Sequence, residues 1–509
     1  MPRRLGAILL WSVVAACLAI VLSFAYGRDQ GIYAVVARTM LEGGAPYRDA
    51  WDFKPPGIFV MFALARALFG PAQMSIRIVE GLAFLAMAWA MITLAERWWA
   101  DRMAGLLAAA LAALVHAQLD FWHTAQPETF AGILTILALV PGTSRRASPW
   151  PLFVAGFLFG CAGLFKPPLA GGGVVLAVWA ARRTSPWRAF FPVAVGGLTA
   201  VLVCVAWFAA NGAAGALYEA VFRFAPHYTA LSWHGRSAWG MSMEAFGDWL
   251  FGYSGPALAG VLCLIVCRGP ARERDRWRVT PLLGGLVAVS LAGVALQGKF
   301  FPYHYAACWP PTALLGALGW RRAFGMARTR GSVALLGLLA FASLFRTATR
   351  DVEGTFWHRV AWRADLLLGN ETQRDRLGSV ADIDAAINRR VAAELQRHVA
   401  REDSVYVWGF EPVLYDMCER EAPTRYIHNV PQRASWSRSE ARRELMHDLS
   451  EHPPQAIVVV SGDSMPMVLG HGDDSRVELE EFAELRRLIA DHYGKLMLIG
   501  DFELYLRRD

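Results

Sequence analysis

Up to about residue 345, apolar residues run along this chain in long uninterrupted blocks, and the short links between them carry most of the arginines. About eleven of these blocks predict membrane-spanning helices, at residues 5–25, 78–98, 104–119, 127–141, 150–165, 169–181, 190–210, 255–266, 279–296, 306–320 and 331–345. A further apolar segment, 58–69, either crosses or lies along the surface. From about Asp351 the pattern changes, and no later apolar run has spanning length. Helical periodicity is predicted there over 383–400, 437–449 and 478–491, and strand-like runs over 404–408, 456–460, 496–499 and 502–506. The expected architecture is therefore a polytopic α-helical membrane protein, residues 1–346, followed by a soluble α/β domain, residues 351–509.

Charge sets the expected orientation. If 58–69 does not cross and the N-terminus is cytoplasmic, the inside links carry Arg145/Arg146, Arg182/Arg183/Arg188, Arg268/Arg272/Arg274/Arg276/Arg278 and Arg321/Arg322/Arg328/Arg330. If 58–69 crosses, all of these clusters move outside, against the positive-inside rule. The first arrangement puts the loop after the first span, and the whole tail, on the non-cytoplasmic side. It gathers Arg77, Asp120, Glu128, Lys166, the aromatic-rich segment 211–254 and the link 299–305 on that same side. The MPRR start resembles a cleavable signal with a mature end at Tyr26, but the long apolar run favours a retained anchor.

The loop after the first span concentrates charge: Arg28, Asp29, Arg38, Arg48, Asp49, Asp52 and Lys54. Within it, Ile32, Tyr33, Val36, Met40 and Leu41 share one helical face, which predicts an amphipathic helix in the membrane interface, ended by Gly43-Gly44. The net charge of +7 does not point to nucleic acid, because the arginines sit in topology-setting links. Six of the seven cysteines fall in or beside apolar runs, so no disulfide framework is expected. The tail has neither a GxGxxG nor a P-loop pattern, hence no nucleotide site.

Taken singly, the candidate residues have ordinary explanations. Asp29 can mark the membrane interface, and Glu128 can serve the N-terminus of its own helix. Arg77 and Glu80 have the spacing of an intrahelical pair, Lys166 can snorkel, and His304 can be a packed interfacial ring. Together, acids and cations on one membrane face beside a long aromatic segment suit chemistry on a phosphate-bearing amphiphile.

The stretch D-Q-G-I-Y-A-V-V-A-R-T-M-L-E-G-G-A-P-Y-R-D from Asp29, then F-K-P-P-G-I-F and a helix opening S-I-R, resembles the GT-C superfamily of polyprenyl-phosphate-dependent glycosyltransferases. The likeness is to the lipid A aminoarabinose transferases and the bacterial protein O-mannosyltransferase-like membrane proteins. Gln126-Pro127-Glu128-Thr129, Leu164-Phe165-Lys166-Pro167 and Phe301-Pro302-Tyr303-His304-Tyr305 follow in matching order. The resemblance covers the membrane half.

It implies Asp29 as catalytic base, with Glu128 as the foremost second acid and Asp49 or Asp52 next. Many relatives have another acid directly after the first; this chain has Gln30. It further implies inverting transfer of a sugar from a polyprenyl-phosphate donor to a hydroxyl of a lipid, an envelope glycan or a protein, at the outer face of the cytoplasmic membrane. Lys54, Lys166, Lys299, Arg77 or His304, with Tyr303 nearby, would steady the departing phosphate, with no metal or other cofactor expected. A transporter or flippase of a lipid-linked saccharide would share the hydrophobicity, but would place charges within several spans rather than at one side. A non-catalytic scaffold whose tail binds a partner is the third reading.

Overall fold

The computed structural model describes residues 3–144, 148–252, 255–267, 279–345, 356–380 and 383–508. The expected arginine clusters at 145–146 and 268–278, and the point where the composition changes, lie outside the described residues. The membrane part opens with α1 (Arg3–Leu22), α2 (Arg28–Leu41), α3 (Gly57–Phe69), α4 (Met74–Trp99), α5 (Arg102–Gln118), α6 (Pro127–Gly142), α7 (Trp150–Phe165), α8 (Gly171–Ala181) and α9 (Pro186–Ala210). Short helical pieces then lead to Ala238–Phe251, Gly255–Val266, Thr280–Gln297, Trp309–Met326 and Arg330–Leu344. Every segment expected to span is thus a helix.

Four of these helices, α1, α4, α9 and Thr280–Gln297, have both the length and the hydropathy to cross a membrane. Several others, including α5, α6 and α7, are apolar but shorter. The outward faces are greasy: Leu198, Leu202 and Val203 on α9 are exposed, and Arg330–Leu344 buries no residue at all. Such surfaces are stable against hydrocarbon rather than water.

The tail builds a four-stranded sheet in the order Val405–Trp408, Ala456–Val460, Phe502–Arg507, Tyr493–Ile499. The first pair is parallel and the other two antiparallel. Alternate residues go to opposite faces, as strand geometry requires. Tyr406, Trp408, Ile457 and Val459 pack against Leu445, Leu449 and Leu485 on one side. Val405, Val407, Val458 and Val460 belong to a second core on the other, continuous with Ile32, Val36, Phe59 and Phe62 of α2 and α3. The helical region expected over 478–491 is broken at Phe482 into Ser475–Glu481 and Ala483–His492.

That shared core changes the position of α2. It has the expected extent, and Gly43 beyond its end has φ +94°. It does not lie on a surface, however, because Arg28 to Ala37 are all buried. The C-terminal region covers its polar face, and a Cβ on Gly31 would stand 2.7 Å from the backbone nitrogen of Val413. Ion pairs from Arg28 to Glu411 and from Arg66 to Asp416, both 2.6 Å, fasten the two regions together.

Candidate functional site

A cavity of about 740 Å³ opens where the ends of α2, α6 and α7 meet the 296–304 link and the C-terminal region. Each of its charged side chains is placed by a helix end or a turn. Gly27 caps α2, which puts Asp29 in the first helical turn. Pro127 occupies the first turn of α6, where its missing N–H costs nothing, and sets Glu128 beside it. Lys166 ends α7 in extended backbone, because Pro167 disfavours the helical conformation in the residue before it. Lys54 sits in the turn before α3, and Lys299 follows Gly298, which has φ +63°.

Two acid–lysine pairs face the cavity. Lys54 Nζ donates to Asp29 Oδ1 at 2.9 Å, and Gln126 Nε2 donates to Asp29 Oδ2 at 3.2 Å. Lys166 Nζ stands 2.8 Å from Glu128 Oε1, and Glu128 has no hydrogen-bond partner among the described residues. Lys299 donates to the carbonyl of Met467 and lies 4.3 Å above the Tyr228 ring. Burial pushes Lys299 down to about 8, and drives His304 well below its ordinary value, so that imidazole is neutral. Tyr303 packs edge-on against His304 at 4.5 Å and stacks near His123 at 5.9 Å.

Of the residues singled out in the sequence, the cavity brings together Asp29, Glu128, Lys54, Lys166, Lys299, Tyr303 and His304. Three do not line it. Asp49 is held by Arg48 at 2.7 Å and accepts from the Ala45 N–H, so it shapes the loop. Asp52 is fully buried behind Lys54. Arg77 is sealed inside the bundle, where it donates to Glu80, Thr124, and the carbonyls of Ala25 and Phe121. It is the intrahelical pair its spacing predicts, and its fully buried guanidinium does not reach the cavity.

Gln30, directly after Asp29, has a structural task. Its Oε1 accepts from Gly27 N–H, and its Nε2 donates to the carbonyls of Phe121, Trp122 and Thr124. It pegs the start of α2 to the link before α6. Sequence reasoning noted Arg28 only as one charge of its loop and passed over Trp122, His123, Phe410 and the 464–468 segment, and all of these line the cavity. Arg28 and His123 carried a signal, since each stands close to a residue that was singled out. Phe410 and 464–468 carried none, because contacts across several hundred residues leave no local pattern.

The architecture has known counterparts. ArnT from Cupriavidus metallidurans, in its apo state, aligns over 98% of this chain and 97% of its own, with TM-score 0.61 and 14% identity. The chain shares the fold of that structure. ArnT from the same organism bound to undecaprenyl phosphate aligns over the same shares, with TM-score 0.57. No family model matches the sequence, and no curated protein matches it. Within this fold the cavity lies where apolar helices meet the C-terminal region, and its lining combines acids and cations with apolar residues such as Val221, Leu296 and Val468.

Proposed function

We propose that this chain is an inverting glycosyltransferase that moves a sugar from a polyprenyl-phosphate donor to an acceptor hydroxyl. The observation that carries the reading is the pair of acid–lysine contacts, Asp29–Lys54 and Glu128–Lys166, facing one cavity beside the apolar helices. The shared fold supports it, as does the undecaprenyl phosphate bound by the similar ArnT.

In this mechanism Asp29 takes the proton of the acceptor hydroxyl, and the oxygen attacks the anomeric carbon from the face opposite the phosphate. The carbon–oxygen bond to the lipid phosphate breaks, and its electron pair leaves with the phosphate. Attack and departure on opposite faces invert the anomeric centre. Lys54, Lys166 and Lys299 compensate the departing charge, so no divalent ion is required. His304, held neutral by burial, offers a hydrogen bond without repelling those cations. Glu128 keeps Lys166 aimed into the cavity and is the second acid of the site.

In the proposed setting about eleven helices cross the cytoplasmic membrane, the N-terminus is cytoplasmic, and the cavity and C-terminal region face outward. Residues 351–509 form an extracytoplasmic domain that closes one wall of the site. The acceptor is a lipid, an envelope glycan or a protein hydroxyl. The test is envelope glycan mass spectrometry in cells with the protein, without it, and with Asp29→Asn. The modification disappears without the protein and does not return with a folded, inserted Asp29→Asn chain. Full modification by that variant removes Asp29 from the mechanism.

A further inference from the structure

The turn between α2 and α3 carries an acid that this reaction scheme does not use. Asp52 is fully buried, and its Oδ2 lies 4.0 Å from Lys54 Nζ. Its Oδ1 is 3.6 Å from Nε2 of His428, an equally buried residue of the C-terminal region. The His428 ring is fixed edge-on between Trp51, at 5.5 Å, and Phe410, at 5.2 Å. The Val430 N–H points at Nδ1 from 3.4 Å, which leaves the ring proton on Nε2, facing Asp52. Asp29, Lys54, Asp52 and His428 are therefore neighbours in series, each within 4.0 Å of the next.

We propose that Asp52 and His428 are positioning residues for the transfer: they hold the Lys54 ammonium against Asp29 and keep it compensated when Asp29 takes the acceptor's proton. The inference rests on the reading of Asp29 as the base. Before the step, one cation is shared by two carboxylates. During it, the acceptor O–H proton goes to Asp29, the acceptor oxygen bonds to the anomeric carbon, and the phosphate leaves with the electron pair of the broken bond. Asp29 is then neutral, and Lys54 keeps Asp52 as its counter-ion. Without Asp52, the same step would leave the buried Lys54 ammonium with the departing phosphate as its one remaining counter-charge, which low-dielectric surroundings disfavour.

The titration behaviour agrees with this geometry. Burial opposes charge on Asp52, but Lys54 and the His428 contact outweigh it and hold the carboxyl below its ordinary value. Burial also opposes charge on Lys54, but Asp29 and Asp52 outweigh it and push the ammonium up. Burial lowers His428, so its ring is neutral. The other groups facing the two acids are neutral as well: burial raises Tyr33, Tyr47, Tyr228 and Tyr303, and lowers His123 to about 4. The remaining charges nearby are already paired, Glu128 with Lys166 and Arg28 with Glu411.

The test uses the full-length protein in nanodiscs and dicyclohexylcarbodiimide, an apolar reagent that couples to protonated carboxyl groups. Label on Asp29 is followed against pH by peptide mass spectrometry. In Asp52→Asn, labelling of Asp29 is confined to lower pH than in the wild-type chain, and Asp52→Glu restores the wild-type dependence. In His428→Phe, which keeps the ring shape and removes the donor, turnover falls roughly tenfold with little change in KM. That variant decides the matter if Asp52→Asn does not fold. Identical labelling curves for wild type and Asp52→Asn, or wild-type turnover in His428→Phe, overturn the proposal. Undiminished transfer by Asp29→Asn overturns the proposed function instead, so the two failures are told apart.

Discussion

Two clusters of acid and cation lie close together in the N-terminal bundle, and they differ in what surrounds them. Around Arg77 most strong groups are answered by protein: Glu80 receives Arg77 at 3.0 Å, the Ala125 N–H, and His116 at 3.1 Å, although Arg77 Nε has no hydrogen-bond partner among the described residues. Around Asp29 and Glu128 the partners are fewer and the remaining directions open into a cavity. A saturated buried network locks helices together, whereas charges with spare capacity beside a void are available to a ligand. Residue type alone does not separate the two clusters, since both combine a carboxylate with a long cation.

Exchanging the acids breaks the comparison most sharply. Asp29→Asn lowers transfer by about a thousandfold, within the range for loss of a general base, and leaves thermal unfolding in detergent unchanged. Glu80→Gln does the reverse: it strands buried Arg77 and costs about 3–5 kcal/mol of stability, read by the same unfolding assay. Lys166→Met comes next, with a loss of roughly a hundredfold in turnover as the departing phosphate loses one compensating charge. Lys299 adds a pH signature. It is charged below about 8 and neutral above, so binding of undecaprenyl phosphate weakens as pH rises through that value. Lys299→Arg removes the dependence, because guanidinium stays charged throughout. The smallest effect belongs to Asp49→Asn in the partly exposed loop, where stability changes by about 0.5 kcal/mol or less and transfer is unaffected.

The comparison also explains what the sequence made legible. Apolar helices announce themselves by long apolar runs, and Asp29, Lys54, Glu128 and Lys166 stand at the ends of helices or in the turns beside them, so the helices and the candidate residues could be picked out together. The four strands were legible because their apolar runs are bounded by turn residues. Burial of α2 was not, since its polar face is covered by residues near Val413, and no periodicity reports a cover supplied from so far along the chain. The same distance hid Phe410, His428 and the 464–468 segment. Arg77 shows the opposite difficulty: its spacing to Glu80 was readable, while its complete burial came only with the fold.

The central claim is that a lipid phosphate occupies the cavity between the two acid–lysine pairs. Its most direct test is a cryo-EM structure of the protein in nanodiscs with undecaprenyl phosphate. The account predicts phosphate density in contact with Lys54, Lys166 or Lys299, within reach of Asp29, and the prenyl chain leaving between the apolar helices. Phosphate density elsewhere on the protein, with this cavity empty at saturating lipid, would contradict it.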